Sequence, residues 1–91
     1  MKLGIIGCGN IAASHLRGFA SAGAEITAFA DALPDRAEAM AKKVAGGTAY
    51  AGSQELIETS GVDAVIICTP PNLHRDIAIA AIAGGLHVLC E

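Results

Sequence analysis

Aromatic side chains are scarce in this chain, which has two phenylalanines, one tyrosine and no tryptophan among its 91 residues. Its core must therefore be built from Ala, Ile, Val and Leu, as is typical of a parallel sheet covered by helices. Basic residues are also few, with six Lys and Arg against nine Asp and Glu and a net charge of -3. Because the largest basic cluster is Lys42-Lys43, we expect no binding to nucleic acid.

Cysteines are limited to Cys8, Cys68 and Cys90, an odd number at wide spacing. This pattern argues against a disulfide framework and against a metal site, so we expect three free thiols. Cys68 and Cys90 lie in apolar runs, where a thiol usually acts as a small apolar filler. Cys8 precedes a predicted helix N-terminus, a position that can lower the pKa of a thiol and that leaves a redox role open.

Long hydrophobic runs are missing as well. The longest strongly apolar stretch is centred on residues 64–68, far below the ~20 residues that span a bilayer. The N-terminus has no cationic flank followed by an apolar signal core, so we expect a cytoplasmic protein with no membrane partner. Residues 1–91 are enough for one small domain and too few for a second, catalytic domain.

Strand-like runs alternate with helix-like runs along the whole chain. The predicted strands are residues 2–6, 25–30, 48–50, 64–69 and 86–90. Helical crossovers imply parallel pairing, and right-handed connections with a reversal after the third strand predict the spatial order 3-2-1-4-5. The sequence thus predicts an α/β fold, a Rossmann-type doubly wound sheet with a ligand cleft at the carboxyl ends of its strands.

Capping and helix-breaking residues set the limits of the predicted helices. The fourth helix is expected to bury one face made of Leu73, Ile77, Ala80, Ala81 and Gly84. The four helices are predicted at about residues 10–21, at 34–43, from Ser53 to a stop at Gly61, and after Pro70-Pro71.

The first predicted strand runs directly into a glycine-rich turn. Residues 4–12 read Gly-Ile-Ile-Gly-Cys-Gly-Asn-Ile-Ala, and an acidic residue follows at position 31. This spacing is typical of a dinucleotide-binding fingerprint, in which Gly7 makes the tight turn and Gly9 lets a pyrophosphate approach the backbone. Unpaired amides near Asn10 and Ile11, at the positive end of the first helix, are expected to hold that pyrophosphate.

Asp31 ends the second predicted strand, where a carboxylate can accept hydrogen bonds from the adenosine ribose and repel a 2'-phosphate. The sequence therefore favours NAD over NADP as the cofactor. Arg36 lies one turn into the next helix and complicates this prediction. It is counted among the cofactor contacts, although it can pair with Asp31, with a 2'-phosphate, or simply with solvent.

A methyltransferase is the rival nucleotide-binding interpretation, because the Gly-Cys-Gly-Asn run is similar to the start of the motif that binds S-adenosylmethionine. That motif usually has an acidic residue two positions before its first glycine and a glycine two positions after its second. Ile5 and Ile11 occupy these positions here. The dinucleotide interpretation is therefore the stronger one.

Two further segments carry a resemblance to a known family. Residues 68–74 read Cys-Thr-Pro-Pro-Asn-Leu-His, and residues 85–91 read Gly-Leu-His-Val-Leu-Cys-Glu. Together with the glycine turn and Asp31, they resemble the N-terminal cofactor domain of the glucose-fructose oxidoreductase and inositol dehydrogenase family, Gfo/Idh/MocA. The resemblance covers essentially all residues and implies hydride transfer with NAD(P) on sugar, polyol or related CH-OH substrates.

The resemblance also implies cofactor contacts. It places Thr69, Pro70, Asn72 and His74 near the adenosine and nicotinamide ribose, and Glu91 near the nicotinamide ribose. The residues themselves leave a local alternative open, because a proline pair fixes a strand exit and Asn72 can cap the following helix. His74 is the one histidine expected at the mouth of the cleft.

The resemblance also implies which part of the enzyme this sequence contains. In that family the glutamate is followed by Lys-Pro, and the lysine usually assists proton transfer, whereas this sequence stops at Glu91. We therefore expect a cofactor domain that ends before a remaining strand and a substrate domain, with no catalytic residue of its own. The alternative is a free-standing nucleotide-binding or sensing module, such as an engineered half-fold, that associates with itself through an apolar sheet edge.

Overall fold

A computed structural model describes residues 2–90, without the side chains at positions 10, 11, 20 and 90. Strands and helices alternate throughout these residues, in the order that the sequence pattern predicts. The strands are β1 (Lys2–Ile6), β2 (Glu25–Ala30), β3 (Thr48–Tyr50), β4 (Ala64–Ile67) and β5 (His87–Cys90). The helices are α1 (Asn10–Ser21), α2 (Pro34–Ala41), α3 (Ser53–Thr59) and α4 (Pro71–Ala83).

All five strands form one parallel sheet in the order β3-β2-β1-β4-β5, which confirms the predicted Rossmann-type topology. At the carboxyl end of the sheet, Ile6 of β1 lies opposite Ala30 of β2 and Ile67 of β4. The loops that follow these three strands therefore leave the sheet at one level. These loops carry Gly7, Asp31 and Thr69, which the sequence predicts to contact the ligand.

Two apolar clusters fill the space between the sheet and its helices. On one face, Phe29 and Ile5 pack with Met40 of α2 and Leu16 of α1. On the other face, residues of β1, β2 and β4 pack with Leu56 of α3 and with α4. Burial of this kind contributes about 1.5–3 kcal/mol for each large aliphatic or aromatic side chain. The sheet edge that carries the loops therefore stands on a core packed on both sides.

Four element boundaries differ from the prediction, and one of them is the start of α4, which begins at Pro71 and not after it. β4 ends at Ile67 and not at Thr69, because Cys68 N makes the last bond to β1, to Ile6 O at 2.8 Å, before the proline pair turns the chain. α2 ends at Ala41 and not at Lys43, because the chain then continues in three-residue turns such as Lys43 N to Met40 O at 3.1 Å. β5 begins at His87, since Leu86 N bonds back to the end of α4.

The prediction for the buried face of α4 is wrong for Leu73 and Gly84, which are both exposed. The structure buries Ala81 fully, and Ile77 and Ala80 in part. Leu73 is 42% exposed because it lies in the first turn of α4, beside the cleft and not over the sheet. None of the helices between residues 2 and 90 combines the length and apolar character needed to cross a bilayer.

Candidate functional site

Gly7 makes the turn between β1 and α1, and the turn requires a glycine. Its φ of +95° lies in a region that side chains disfavour. A Cβ at this position would lie 2.7 Å from both Cys68 C and Thr69 N, inside the backbone of the loop after β4. Gly7 N also donates to Ala30 O at 2.8 Å, at the end of β2. The turn is therefore pressed against both neighbouring strands.

Gly9 is different, because it faces open space. A Cβ built on Gly9 meets no atom within 4 Å. Its carbonyl accepts the first helical bond, from Ala13 N at 3.1 Å. The amides that follow belong to the first turn of α1, where helix geometry leaves N–H groups without intrahelical acceptors. The side chains of Asn10 and Ile11 lie outside the described part of the structure, and only their place at the start of α1 is given.

Asp31 follows β2 and bonds to two backbone amides. Its Oδ2 accepts from Cys8 N at 2.6 Å, within the glycine turn. Its Oδ1 accepts from Leu33 N at 2.8 Å, at the start of the β2–α2 connection. The carboxylate thus lies between the glycine turn and the loop after β2, as its sequence position predicts.

A cleft of about 570 Å³ opens where the loops after β1, β2 and β4 meet. Its volume is within the range of small-molecule sites. Apolar groups form most of its wall, and the polar groups are few. The lining residues are Gly7, Cys8, Gly9, Asp31, Ala32, Leu33, Arg36, Cys68, Thr69, Pro70, Pro71 and Leu73.

Thr69 lines this cleft and carries an unsatisfied polar atom. Its Oγ1 is buried and has no hydrogen-bond partner among the described residues. Such atoms are rare in folded proteins, because a buried hydroxyl without a partner costs about 1–3 kcal/mol. Open backbone at Gly9, the carboxylate of Asp31 and the free hydroxyl of Thr69 fit a ligand with a diphosphate and a sugar.

Arg36 lies exposed in the first turn of α2 and lines two cavities. One is the cleft, and the other is a neighbouring space of about 330 Å³ between α1 and α2 that Lys43 also lines. Its guanidinium makes no hydrogen bond or ion pair within residues 2–90, so the predicted alternative of a pair with Asp31 is not found there. The other two predicted alternatives for Arg36, binding to a 2'-phosphate and contact with solvent, stay predictions.

Asn72 and His74 do not line the cleft. Asn72 is exposed on the first turn of α4, and His74 is half buried. His74 lies three and seven residues before Ile77 and Ala81, on the side of α4 that faces the sheet, and its Nε2 is buried without a described partner. His74 therefore does not lie at the mouth of the cleft, where the sequence predicts it. Glu91 falls outside the described residues, and the cofactor contacts of all three stay predictions.

The position of Cys8 before the helix N-terminus does not lower the pKa of its thiol. The pKa of this thiol rises from 9.0 to about 12, first because of burial and second because of the nearby Asp31 carboxylate. The thiol donates to Ala30 O at 3.4 Å, and Cys8 belongs to the buried core cluster on one face of the sheet. Within residues 2–90, no three His, Cys, Asp or Glu side chains lie close enough to hold a metal ion.

A thiol with this pKa is expected to be inert. In the folded protein at pH 8, Cys8 should react with iodoacetamide at least about a hundredfold more slowly than in urea, because the thiolate is the reactive form. Quenched alkylation with peptide mapping measures this at Cys8 separately from the other cysteines. Equal rates in the folded and unfolded protein would contradict the burial.

Comparison with known proteins agrees with this site. The sequence profile of an oxidoreductase family, the Gfo/Idh/MocA NAD-binding Rossmann fold, matches residues 1–91. An inositol 2-dehydrogenase from Saccharopolyspora erythraea is 36% identical over this whole chain, which spans 27% of that enzyme. The chain thus covers about a quarter of the length of the curated relatives that it matches.

Two solved structures with bound cofactors are also similar. The WlbA dehydrogenase from Bordetella pertussis, in complex with NADH and UDP-GlcNAcA, is 27% identical with a TM-score of 0.91, covering 98% of this chain and 27% of its own. A 3-ketoreductase from Actinomadura kijaniata, in complex with NADP, is 35% identical with a TM-score of 0.89, covering 99% and 28%. These matches favour the dinucleotide interpretation over the methyltransferase one. The chain belongs to the Gfo/Idh/MocA oxidoreductase family and forms its NAD-binding Rossmann domain.

Proposed function

We propose that this domain holds NAD for a dehydrogenase that acts on the CH-OH groups of a cyclic polyol or sugar. The names of its relatives support that substrate class, since they include inositol 2-dehydrogenases and an enzyme crystallised with UDP-GlcNAcA. When bound, the nicotinamide would supply hydride chemistry, and the protein would supply binding and orientation.

The observation that carries this proposal is the contrast between the two glycines of the turn. Gly7 has no room for a side chain, whereas Gly9 faces open space beside the first turn of α1. A tight turn alone requires only the first of these glycines. The second leaves the helix N-terminus accessible to an anion, as a diphosphate requires.

The remaining site residues have distinct proposed roles. The carboxylate of Asp31 accepts hydrogen bonds from the adenosine ribose, the Thr69 hydroxyl bonds to the ligand, and Pro70 forms part of the apolar wall. None of these groups is proposed to act as an acid or base. The full set of proposed cofactor contacts is Gly7, Gly9, Asn10, Ile11, Asp31, Arg36, Thr69, Pro70, Asn72, His74 and Glu91.

We also propose that residues 1–91 belong to the dinucleotide-binding domain and that turnover needs a separate substrate domain. The length of the relatives supports this division. Exposed apolar side chains also support this division. Leu89 of the edge strand β5 is 46% exposed, and Ile79 and Ile82 of the helix α4 are more exposed still. A further domain, or self-association of this one, would cover that surface. We place the protein in the cytoplasm, as is usual for soluble dehydrogenases of this kind.

The binding proposal is tested by titrating the 91-residue protein into NADH at low salt and following the nicotinamide fluorescence. We expect a saturating change that excess ADP reverses, because ADP contains the diphosphate and adenosine that the cleft would hold. A signal that rises linearly, or that ADP leaves unchanged, would exclude the assigned cleft.

Cofactor choice gives a second test. The wild-type protein should bind NADH at least about tenfold more tightly than NADPH, since two like charges 4 Å apart repel by about 4 kcal/mol at an effective dielectric constant of 20, before screening by salt. Asp31→Ser should bring the ratio of the two dissociation constants closer to one. Asp35→Ser removes a carboxylate from the exposed first turn of α2, outside the cleft lining, and should leave the ratio unchanged. An unchanged ratio in Asp31→Ser would remove Asp31 from cofactor selection.

A further inference from the structure

The Asp31 carboxylate joins the glycine turn to the loop that follows β2. Its bonds to Cys8 N at 2.6 Å and Leu33 N at 2.8 Å join the glycine turn to the β2–α2 connection, across 23 residues of sequence in the first case. Both loops line the cleft. One side chain therefore bonds to the backbone of both loops.

The glycine turn depends on few other attachments. Besides its chain neighbours, it is tied to the end of β2 by Gly7 N to Ala30 O at 2.8 Å and by the weaker Cys8 thiol contact with the same carbonyl at 3.4 Å. The Cys8 amide bond to Asp31 is partly buried, so loss of the carboxylate would leave this amide without its acceptor in the protein. Gly9, the next residue, also lines the cleft.

We propose that Asp31 is a positioning residue, which sets the glycine turn in its binding geometry before the cofactor arrives, in addition to any bond that it makes to ribose. This inference rests on the proposed function. A carboxylate offers about four acceptor positions and uses two of them here, so both roles are compatible. Preformed geometry raises affinity by lowering the cost of ordering the site.

This role separates Asp31 from a simple ribose acceptor. A residue that acts only on the sugar matters only for ligands that carry ribose hydroxyls. A residue that fixes the glycine turn matters for every ligand whose diphosphate binds there. The two roles therefore give different results with a ligand that keeps the diphosphate and lacks both hydroxyls.

Calorimetric titration with ADP and with 2',3'-dideoxy-ADP makes that comparison. We expect Asp31→Ala to weaken binding of the dideoxy compound by about tenfold, the loss typical of one charge-assisted hydrogen bond, and ADP by at least as much. Glu38→Ala removes one negative charge from the exposed side of α2 and should leave both affinities within about twofold. Unchanged dideoxy-ADP affinity in Asp31→Ala, with weaker ADP binding, would overturn the proposal.

A measurement on the ligand-free protein gives an independent readout. Asp31→Asn keeps the shape of the side chain but leaves one acceptor oxygen, so one of the two amides loses its bond. We expect hydrogen exchange at the Cys8 or Leu33 amide to become about tenfold faster than in Glu38→Gln. Unchanged exchange at both amides would overturn the positioning role even if Asp31→Ala does not fold. Failure of the wild type to bind ADP would instead overturn the proposed function and leave the exchange result standing.

Discussion

Replacing Gly7 by alanine is expected to lower the free energy of unfolding by about 2–5 kcal/mol and to abolish NADH binding. Two effects add here. The φ of +95° disfavours any side chain, and the new Cβ would press into the backbone of Cys68 and Thr69 at 2.7 Å. Because both contacts are backbone atoms, no side-chain rotation relieves them. Urea unfolding followed by circular dichroism measures the first effect.

Gly23 provides the matched control. It follows α1 with a φ of +85°, and a Cβ there meets no atom within 4 Å. Gly23→Ala should therefore cost only the backbone penalty, about 1–2 kcal/mol, and leave NADH affinity unchanged. If both variants lost equal stability, the close approach of the glycine turn to the loop after β4 would be wrong.

Replacing Gly9 by alanine is expected to do the opposite, with a large loss of binding and little loss of stability. The added methyl group enters open space, so the free energy of unfolding should change by less than about 1 kcal/mol. The same methyl group would stand where the diphosphate approaches the start of α1. Loss of one or two charge-assisted hydrogen bonds corresponds to a decrease in NADH affinity of at least about tenfold. Fluorescence titration measures it.

Gly18 is the control for that experiment. It lies exposed within α1, and a Cβ there also meets nothing within 4 Å. Gly18→Ala should raise stability by about 0.5–1 kcal/mol, since alanine favours the helix, and should leave NADH affinity unchanged. Equal NADH affinity in Gly9→Ala and Gly18→Ala would show that the diphosphate does not approach Gly9.

The sequence predicts the architecture well because each signal is local and repeated. Strand-like runs of three to six residues alternate with runs of helical spacing, and the short connections between them restrict the order of the parallel strands. Errors occur where local signals are weak. β4 ends two residues early at Ile67 and α2 two residues early at Ala41, in both cases where long-range pairing or turn geometry decides the boundary.

The candidate site is also predicted only in part, because local spacing indicates some of its residues and long-range contacts determine the others. The spacing of Gly7, Gly9 and Asp31 indicates the cleft, and the structure brings all three to its wall. The bond from Cys8 N to Asp31 is not visible in the sequence, because it depends on the exact level at which β1 and β2 end. The raised pKa of Cys8 follows from burial that a glycine motif alone does not reveal.

Leu73 marks a related difficulty. Helical spacing places it on the apolar face of α4, yet it lines the cleft, because the first turn of the helix extends past the core. Helical spacing shows which face of the helix a side chain lies on. It does not show whether that turn of the helix lies over the sheet or beyond its end. An apolar wall residue of a cleft and a core residue have the same signal in the sequence.

The most direct test of the account is a crystal structure of this chain grown with NADH. We predict that the diphosphate lies within hydrogen-bonding distance of the main-chain amides that begin α1, above Gly9, with the adenosine ribose beside Asp31. NADH bound at another surface, with the space over Gly9 free of ligand, would contradict it.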